Sequence, residues 1–268
     1  MELTLVAGLL ALGTFTGFSA GLLGVGGGML TVPFITMLLS ARHFPDALVV
    51  HVAIATSLAI ILFTSMSSLR AHHRHGAVLW PVVRKFAPAI LIGSWIGPWV
   101  GAQLSSTALA LFFGLFISFS ATQMLLDRKP KPTRELPATP GMLGVGLVIG
   151  TLSGLVGAGG GFISVPFMTW CNVRIHNAVA TSAALGFPIA LAATLSNIYF
   201  GLQEPGLPSE GTLGFLYLPA LGLVSAAAVL TAPVGARVAH SLDVRSLKRV
   251  YAFMLYGLAA YMLYKGLR

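Results

Sequence analysis

The chain has 268 residues, of which 56% are hydrophobic and only 9% are charged. A soluble domain carries roughly 25% charged residues, so the composition excludes an ordinary soluble domain and indicates a helical protein that crosses a membrane several times. The net charge of +9 arises from basic residues between apolar segments, which is typical of membrane loops rather than of nucleic-acid binding. The single cysteine, Cys171, excludes an intramolecular disulfide and a cysteine-based metal cluster.

Ten apolar segments follow one another along the chain, and we expect each to be helical. A charged, proline-rich stretch separates two groups of five and predicts an extended linker. We therefore divide the chain into a first membrane repeat, residues 1–126, a cytoplasmic linker, residues 127–140, and a second membrane repeat, residues 141–268. The segments cover residues 3–20, 29–40, 47–69, 81–103, 107–126, 141–153, 162–171, 172–200, 215–237 and 247–266.

A glycine-rich element stands near the start of each half. The stretch Gly21–Phe34 reads GLLGVGGGMLTVPF and recurs as Gly154–Phe167, which reads GLVGAGGGFISVPF. Further matching segments occur in the same order in both halves, so the chain is a duplication. These are His51–Ser57 with His176–Ser182, and Val100–Ala102 with Val234–Ala236.

The triple glycines predict breaks in the backbone, because each glycine costs roughly 1 kcal/mol relative to alanine inside a helix. Irregular backbone at membrane depth is tolerated only where it is buried in protein or lines a wet cavity. We expect a new helix to begin directly after each break, near Met29 and Phe162. Pro33 and Pro166 fit such early positions, since proline is tolerated in the first turn of a helix.

The distribution of Lys and Arg favours an inverted relation between the repeats. If each glycine-broken segment re-enters on the side that it left, each repeat makes three crossings and 13 of the 16 basic residues face the cytoplasm. If each segment crosses, the repeats are parallel and ten face the cytoplasm. By the positive-inside rule we predict an all-α polytopic membrane protein with two inverted repeats. Each repeat would hold a glycine-broken re-entrant or discontinuous helix and three full transmembrane helices.

Two helix amino termini that meet in the membrane predict an anion site. Each carries about half a positive charge and several unpaired N–H groups, and such an end binds oxyanions without a basic side chain. Close helix packing is the alternative explanation for the glycines, and we adopt it for Gly93, Gly97 and Gly101. The expected anion-binding glycines are Gly26, Gly27 and Gly28 in the first element and Gly159, Gly160 and Gly161 in the second.

Polar side chains supply further candidates. Hydroxyl groups at mid-membrane can donate to an anion, or they can bond within their own helix or to a neighbour. His51 and His176, at matching positions, either relay protons or hydrogen-bond at the helix interface. The hydroxyl candidates are Thr56, Ser57, Thr181 and Ser182; the amides Asn197 and Gln103 are weaker candidates, because nothing matches them in the other half.

The sequence gives little support for carboxylate-coupled transport, metal binding, nucleotide binding or catalysis. No Asp or Glu lies deep in a span, which weakens carboxylate-based ion coupling. The tract His72–His75 lacks acidic or cysteine partners, so we expect no metal site. The glycine runs lack the strand, the lysine and the acidic residue of nucleotide-binding loops, so we expect no nucleotide or other cofactor. No set of nucleophile, base and orienting group is present, and we expect no enzyme.

The residues resemble a known family. The paired elements Gly21–Phe34 and Gly154–Phe167, the repeated Ala-Thr-Ser and the stretch Leu207–Gly211 are similar to those of the TauE/SafE sulfite exporter family of anion permeases. The resemblance covers nearly the whole chain. It implies a multi-pass transporter of the plasma (inner) membrane for small sulfur-containing anions such as sulfite, sulfonates or thiosulfate.

The leading hypothesis is therefore a secondary transporter that binds a small sulfur oxyanion or organosulfonate, with protons as a candidate coupling ion. Two alternatives remain at this stage. One is a permease for another small organic anion, and the other is a membrane scaffold that transports nothing, whose glycines only pack helices. The sequence leaves the direction of transport and the oligomeric state open.

Overall fold

The computed structural model describes residues 3–23, 27–126, 134–208, 210–239 and 244–267. Within them, each predicted apolar segment corresponds to one helix. A two-stranded antiparallel hairpin, which the sequence did not predict, precedes the ninth helix. The elements are α1 Leu3–Leu23, α2 Gly28–Ala41, α3 Val49–Arg74, α4 Trp80–Gln103, α5 Ser106–Leu126, α6 Thr139–Val156, α7 Gly161–Trp170, α8 Ile175–Gly201, β1 Thr212–Leu213, β2 Leu216–Tyr217, α9 Leu218–Ala239 and α10 Val244–Leu267.

Among the described residues, five helices are long and apolar enough to cross a membrane, as expected for an all-α polytopic membrane protein. They include α1 and α6, the helices that precede the two glycine breaks. The candidate spans are Leu3–Ala20, Val49–Arg74, Ser106–Leu126, Thr139–Val156 and Ile175–Gly201.

Helices of one half pack on helices of the other through glycines. A β-carbon on Gly97 of α4 would lie 2.5 Å from the carbonyl oxygen of Thr151 in α6. In the same way, a β-carbon on Gly13 of α1 would lie 2.6 Å from the carbonyl oxygen of Val224 in α9. The backbones of these helix pairs therefore touch, with no room for a side chain between them. In both pairs the fourth helix of one half packs on the first helix of the other: α4 packs on α6, and α9 packs on α1.

Helices at matching positions of the two halves run antiparallel where they meet. In α5 and α10, Gly114 packs on Leu263, whereas the later residue Thr122 bonds through its hydroxyl to the earlier Tyr256 at 2.6 Å. In α3 and α8, Ser65 lies beside Gly186. The hairpin residue Phe215 stacks on His51, near the start of α3, and its N–H donates to the carbonyl oxygen of Asn197, near the end of α8. The start of α3 therefore lies close to the end of α8.

An ion pair joins the end of α10 to the loop between α2 and α3. The ammonium group of Lys265 donates a hydrogen bond to the carboxylate of Asp46, which is well exposed. This hydrogen bond and the positive charge hold the pKa of Asp46 below its usual value. Because the carboxylate is exposed, we expect the pair to add less than about 1 kcal/mol to stability.

Candidate functional site

The two glycine breaks meet in the interior. A β-carbon on Gly28, the first residue of α2, would overlap the carbonyl oxygen of Gly157 and lie 3.2 Å from the α-carbon of Ala158. Ser57 of α3 donates a hydrogen bond to the same Gly157 oxygen at 3.1 Å. Since Ser57 stands eight residues after the first residue of α3, it lies about 12 Å along that helix, at an intermediate depth in a bilayer core of about 30 Å.

Each break is followed at once by a helix, as the sequence predicted near Met29 and Phe162. The first described helical hydrogen bonds run from the N–H groups of Leu30 and Thr31 to Gly27 and from those of Ile163 and Ser164 to Gly160. The N–H groups of the residues just before them lie in the first turn, where a helix offers them no backbone partner. These residues are Gly28, Met29, Gly161 and Phe162.

The second break owes its sharp turn to two glycines in the left-handed region. Gly157 has φ 67° and Gly160 has φ 77°, a conformation that costs residues with a β-carbon more than it costs glycine. Gly157 and Gly160 are buried, whereas Gly159 and Gly161 are partly exposed. The first break has a buried Gly27 and Gly28. Gly26, a predicted anion-binding residue, lies outside the described residues.

The two predicted threonines make crossed hydrogen bonds between the halves. Thr56 of α3 accepts a bond from the N–H of Tyr217, just before α9, at 2.9 Å. Thr181 of α8 accepts a bond from the N–H of Leu79, just before α4, at 3.0 Å. Both threonines are fully buried. Each half thus hydrogen-bonds the start of the fourth helix of the other half. A hydroxyl bonded to a neighbour was the alternative to a hydroxyl that donates to an anion.

We expect Thr56→Val and Thr181→Val each to lower the free energy of unfolding by about 1–3 kcal/mol, because each leaves a backbone N–H without its acceptor. Valine keeps the shape of threonine, so packing changes little. Thermal unfolding in detergent measures the effect. Thr14→Val is the control, since the hydroxyl of Thr14 is exposed and bonds only to its own helix. Unchanged stability in both buried variants would contradict the importance of these bonds.

The two predicted serines have different partners. Ser57 bonds to Gly157 across the halves, whereas Ser182 accepts a hydrogen bond from Ser164 of α7 at 2.7 Å. Both serines are buried. The hydroxyl of Ser57 therefore lies at the contact between the two breaks, and that of Ser182 lies beside the second helix that starts from a break.

The two histidines, alike in sequence position, have unlike surroundings. Nε2 of His51 lies 3.1 Å from the carbonyl oxygen of Gly101 and 3.0 Å from that of Leu104, so it carries the proton and donates. Nδ1 of His51 is buried and has no partner within the described residues. His176 is exposed at the start of α8. A proton relay through both histidines stays a prediction.

Asn197 lies near the end of α8, on a small cavity that Gly154 and Leu155 of the second glycine element also line. Its amide donates to the carbonyl oxygen of Ala193 in its own helix at 2.8 Å. Together with His51 and Phe215 it lines this cavity of about 10 Å³, roughly the space that one water needs. A larger cavity of about 410 Å³ lies between α4 and α8, is lined by apolar residues and touches neither break.

One polar residue at the second break was missed. Ser153, in the last turn of α6, is 1% exposed, and its hydroxyl has no partner within the described residues. It directly precedes the glycine element, where the first half has Ala20. Because Ser153 has no counterpart in the first half, the internal repeat gives no signal for it.

In the part of the chain that the structure describes, no three His, Cys, Asp or Glu side chains are grouped so as to hold a metal ion. The tract near the end of α3 instead contributes an aromatic contact. The indole N–H of Trp80 donates to Nδ1 of His73 at 3.3 Å.

Helices that cross a membrane several times, with two broken segments that meet inside, define a polytopic α-helical membrane protein. The sequence model of the family described as "Sulfite exporter TauE/SafE" matches residues 9–262, and the chain belongs to this family. It is 34% identical to a probable membrane transporter protein of Haemophilus influenzae, over 96% of this chain and 97% of that protein.

Two other relatives carry similar descriptions. The probable membrane transporter protein YunE of Bacillus subtilis is 26% identical over 97% of each chain. The probable membrane transporter protein MamO of Paramagnetospirillum magneticum is 24% identical over 96% of this chain and 44% of that protein. No solved structure matches this chain. Family and relatives together identify a multi-pass membrane transporter.

Proposed function

We propose that this protein is a secondary transporter of small sulfur-containing anions, such as sulfite, sulfonates or thiosulfate, across the plasma membrane. The backbone N–H groups at the starts of α2 and α7 would hold the anion. The observation that carries this proposal is the direct contact between the two breaks, where Gly28 packs on Gly157 and Ala158. The family described as sulfite exporters supports the class of substrate.

The chemistry of the breaks suits a weakly bound anion. Neither glycine element contains a charged residue, so attraction comes from neutral hydrogen-bond donors and from the partial positive charge of each helix start. Such a site holds an anion without a fixed counter-charge. The anion can therefore leave again, as transport requires.

We also propose that the two repeats are inverted and exchange access between the two sides of the membrane. The antiparallel course of α5 and α10, and of α3 and α8, supports an inverted relation, as does the charge distribution. In the described conformation the two breaks are closed on each other. An anion that enters between them must separate Gly28 from Gly157, and the two halves must then move relative to each other.

Flux of labelled anions into liposomes that contain the purified protein tests the proposal. We expect exchange of sulfite, thiosulfate or a small sulfonate well above that of protein-free liposomes. A panel that includes sulfate and a small carboxylate tells a sulfur-anion transporter from a permease for another organic anion. Absence of flux for every anion in the panel would contradict the proposal and favour the scaffold alternative.

A further inference from the structure

Ser153 has a buried hydroxyl with no hydrogen-bond partner among the described residues. The hydroxyls of Thr56, Ser57, Thr181 and Ser182 all have partners, whereas that of Ser153 has none within the described residues. Buried polar groups without a partner are rare in native proteins, and each calls for an explanation. In the described part of the chain, four other buried side-chain atoms also lack a partner, in Ser40, His51, Thr194 and Ser225.

Among these residues, Ser153 is the one that directly precedes a glycine element. The tight turn brings its hydroxyl to the start of α7, because a β-carbon on Gly160 would lie 3.2 Å from Oγ of Ser153. Gly160 is the residue before α7. The N–H groups of Gly161 and Phe162 follow it, and both residues are partly exposed. The hydroxyl of Ser153 and the N–H groups of Gly161 and Phe162 thus lie on the two sides of one tight turn, at a helix start whose first two residues are partly exposed.

We propose that Ser153 is an anion-binding residue, whose hydroxyl donates to the transported anion next to the N–H groups of Gly161 and Phe162. This inference rests on the proposed function and names a side-chain donor at its site. A set of three donors around one helix start suits an anion with several oxygen atoms, such as sulfite, better than a monoatomic halide. The first break has Ala20 at the matching position, so the two half-sites differ and the hydroxyl comes from the second repeat.

The two substitutions Ser153→Ala and Ser94→Ala separate binding from folding. Ser94 is also buried, on α4 where it faces α6, but its hydroxyl donates to the carbonyl oxygen of Gly150 at 3.4 Å. We expect Ser153→Ala to raise the KM for sulfite about tenfold, because the variant loses one hydrogen bond to a charged group. Its melting temperature should stay unchanged or rise, because an unpaired buried hydroxyl is removed. Ser94→Ala should keep the KM and lower the melting temperature.

The readouts are sulfite flux in liposomes, thermal unfolding in detergent and the rise in melting temperature that added sulfite causes. If the wild-type protein transports sulfite and the Ser153→Ala variant has the same KM, the role of Ser153 is overturned and the proposed function stands. A Ser153→Ala variant that unfolds more easily would also overturn that role, since the hydroxyl would then have a structural partner. A wild-type protein with neither flux nor stabilisation by any anion in the panel would overturn the proposed function as well.

Discussion

Replacement of Gly28 by alanine is expected to remove most anion flux. The added methyl group would overlap the carbonyl oxygen of Gly157 and lie 2.8 Å from Cδ1 of Ile61 and 3.2 Å from the α-carbon of Ala158. Two of these neighbours are backbone atoms, which cannot turn away as a side chain can. We expect the closed contact between the breaks to be destabilised by about 1–3 kcal/mol, the usual cost of overpacking. Flux per folded protein in liposomes measures the loss.

Two other glycines provide matched controls for this variant. A β-carbon on Gly159, in the second break, would make only an ordinary contact of 3.6 Å with Cγ2 of Ile61, and one on Gly222 would have nothing within 4 Å. Gly222→Ala should therefore keep most of the flux, and so should Gly159→Ala, because alanine retains the backbone N–H of this predicted anion-binding residue. Equal flux in Gly28→Ala and Gly222→Ala would contradict the view that the contact between the breaks matters for transport.

Replacement of Gly97 by valine is expected to destabilise the fold. A β-carbon there would lie 2.5 Å from the carbonyl oxygen of Thr151 and 2.9 Å from the backbone nitrogen of Leu155. Valine would force α4 away from α6 and lose the contacts along both helices. We expect a cost of about 1–3 kcal/mol and a melting temperature lower by roughly 5 °C, measured by thermal unfolding in detergent.

The control for this variant lies one turn further along the same helix. The nearest neighbour of a β-carbon on Gly101 would be Cδ1 of Leu155 at 3.5 Å, an ordinary contact. Gly101→Ala should therefore be nearly neutral, although the sequence spacing placed Gly93, Gly97 and Gly101 in one packing motif. A loss of stability in Gly101→Ala as large as in Gly97→Val would show that the helix contact is not the cause.

The helices and their breaks could be predicted because they depend on local sequence. Long apolar runs need a helix in lipid, and a triple glycine interrupts one. The helices after the breaks accordingly begin at Gly28 and Gly161, within a residue of the positions expected. The match between the two halves also gave the order of the helices, since a duplicated sequence repeats its elements.

The partners of the polar side chains could not be predicted in this way. Thr56 bonds to a residue 161 positions further along the chain, and no local pattern reveals such a contact. His51 and His176 have the same place in the repeat, yet one is buried and the other exposed. Sequence comparison of the halves treats them as equal, whereas the hairpin at Thr212–Tyr217 covers only the first.

The pairing of α1 with α9 affects how the protein can form during synthesis. Gly13 and Gly17 of α1 pack on α9, which begins only at Leu218, so α1 has to wait for about 200 residues to be made before its neighbour exists. Helix α4 meets α6 much sooner. The docking of α1 on α9 therefore cannot come before most of the chain has been translated.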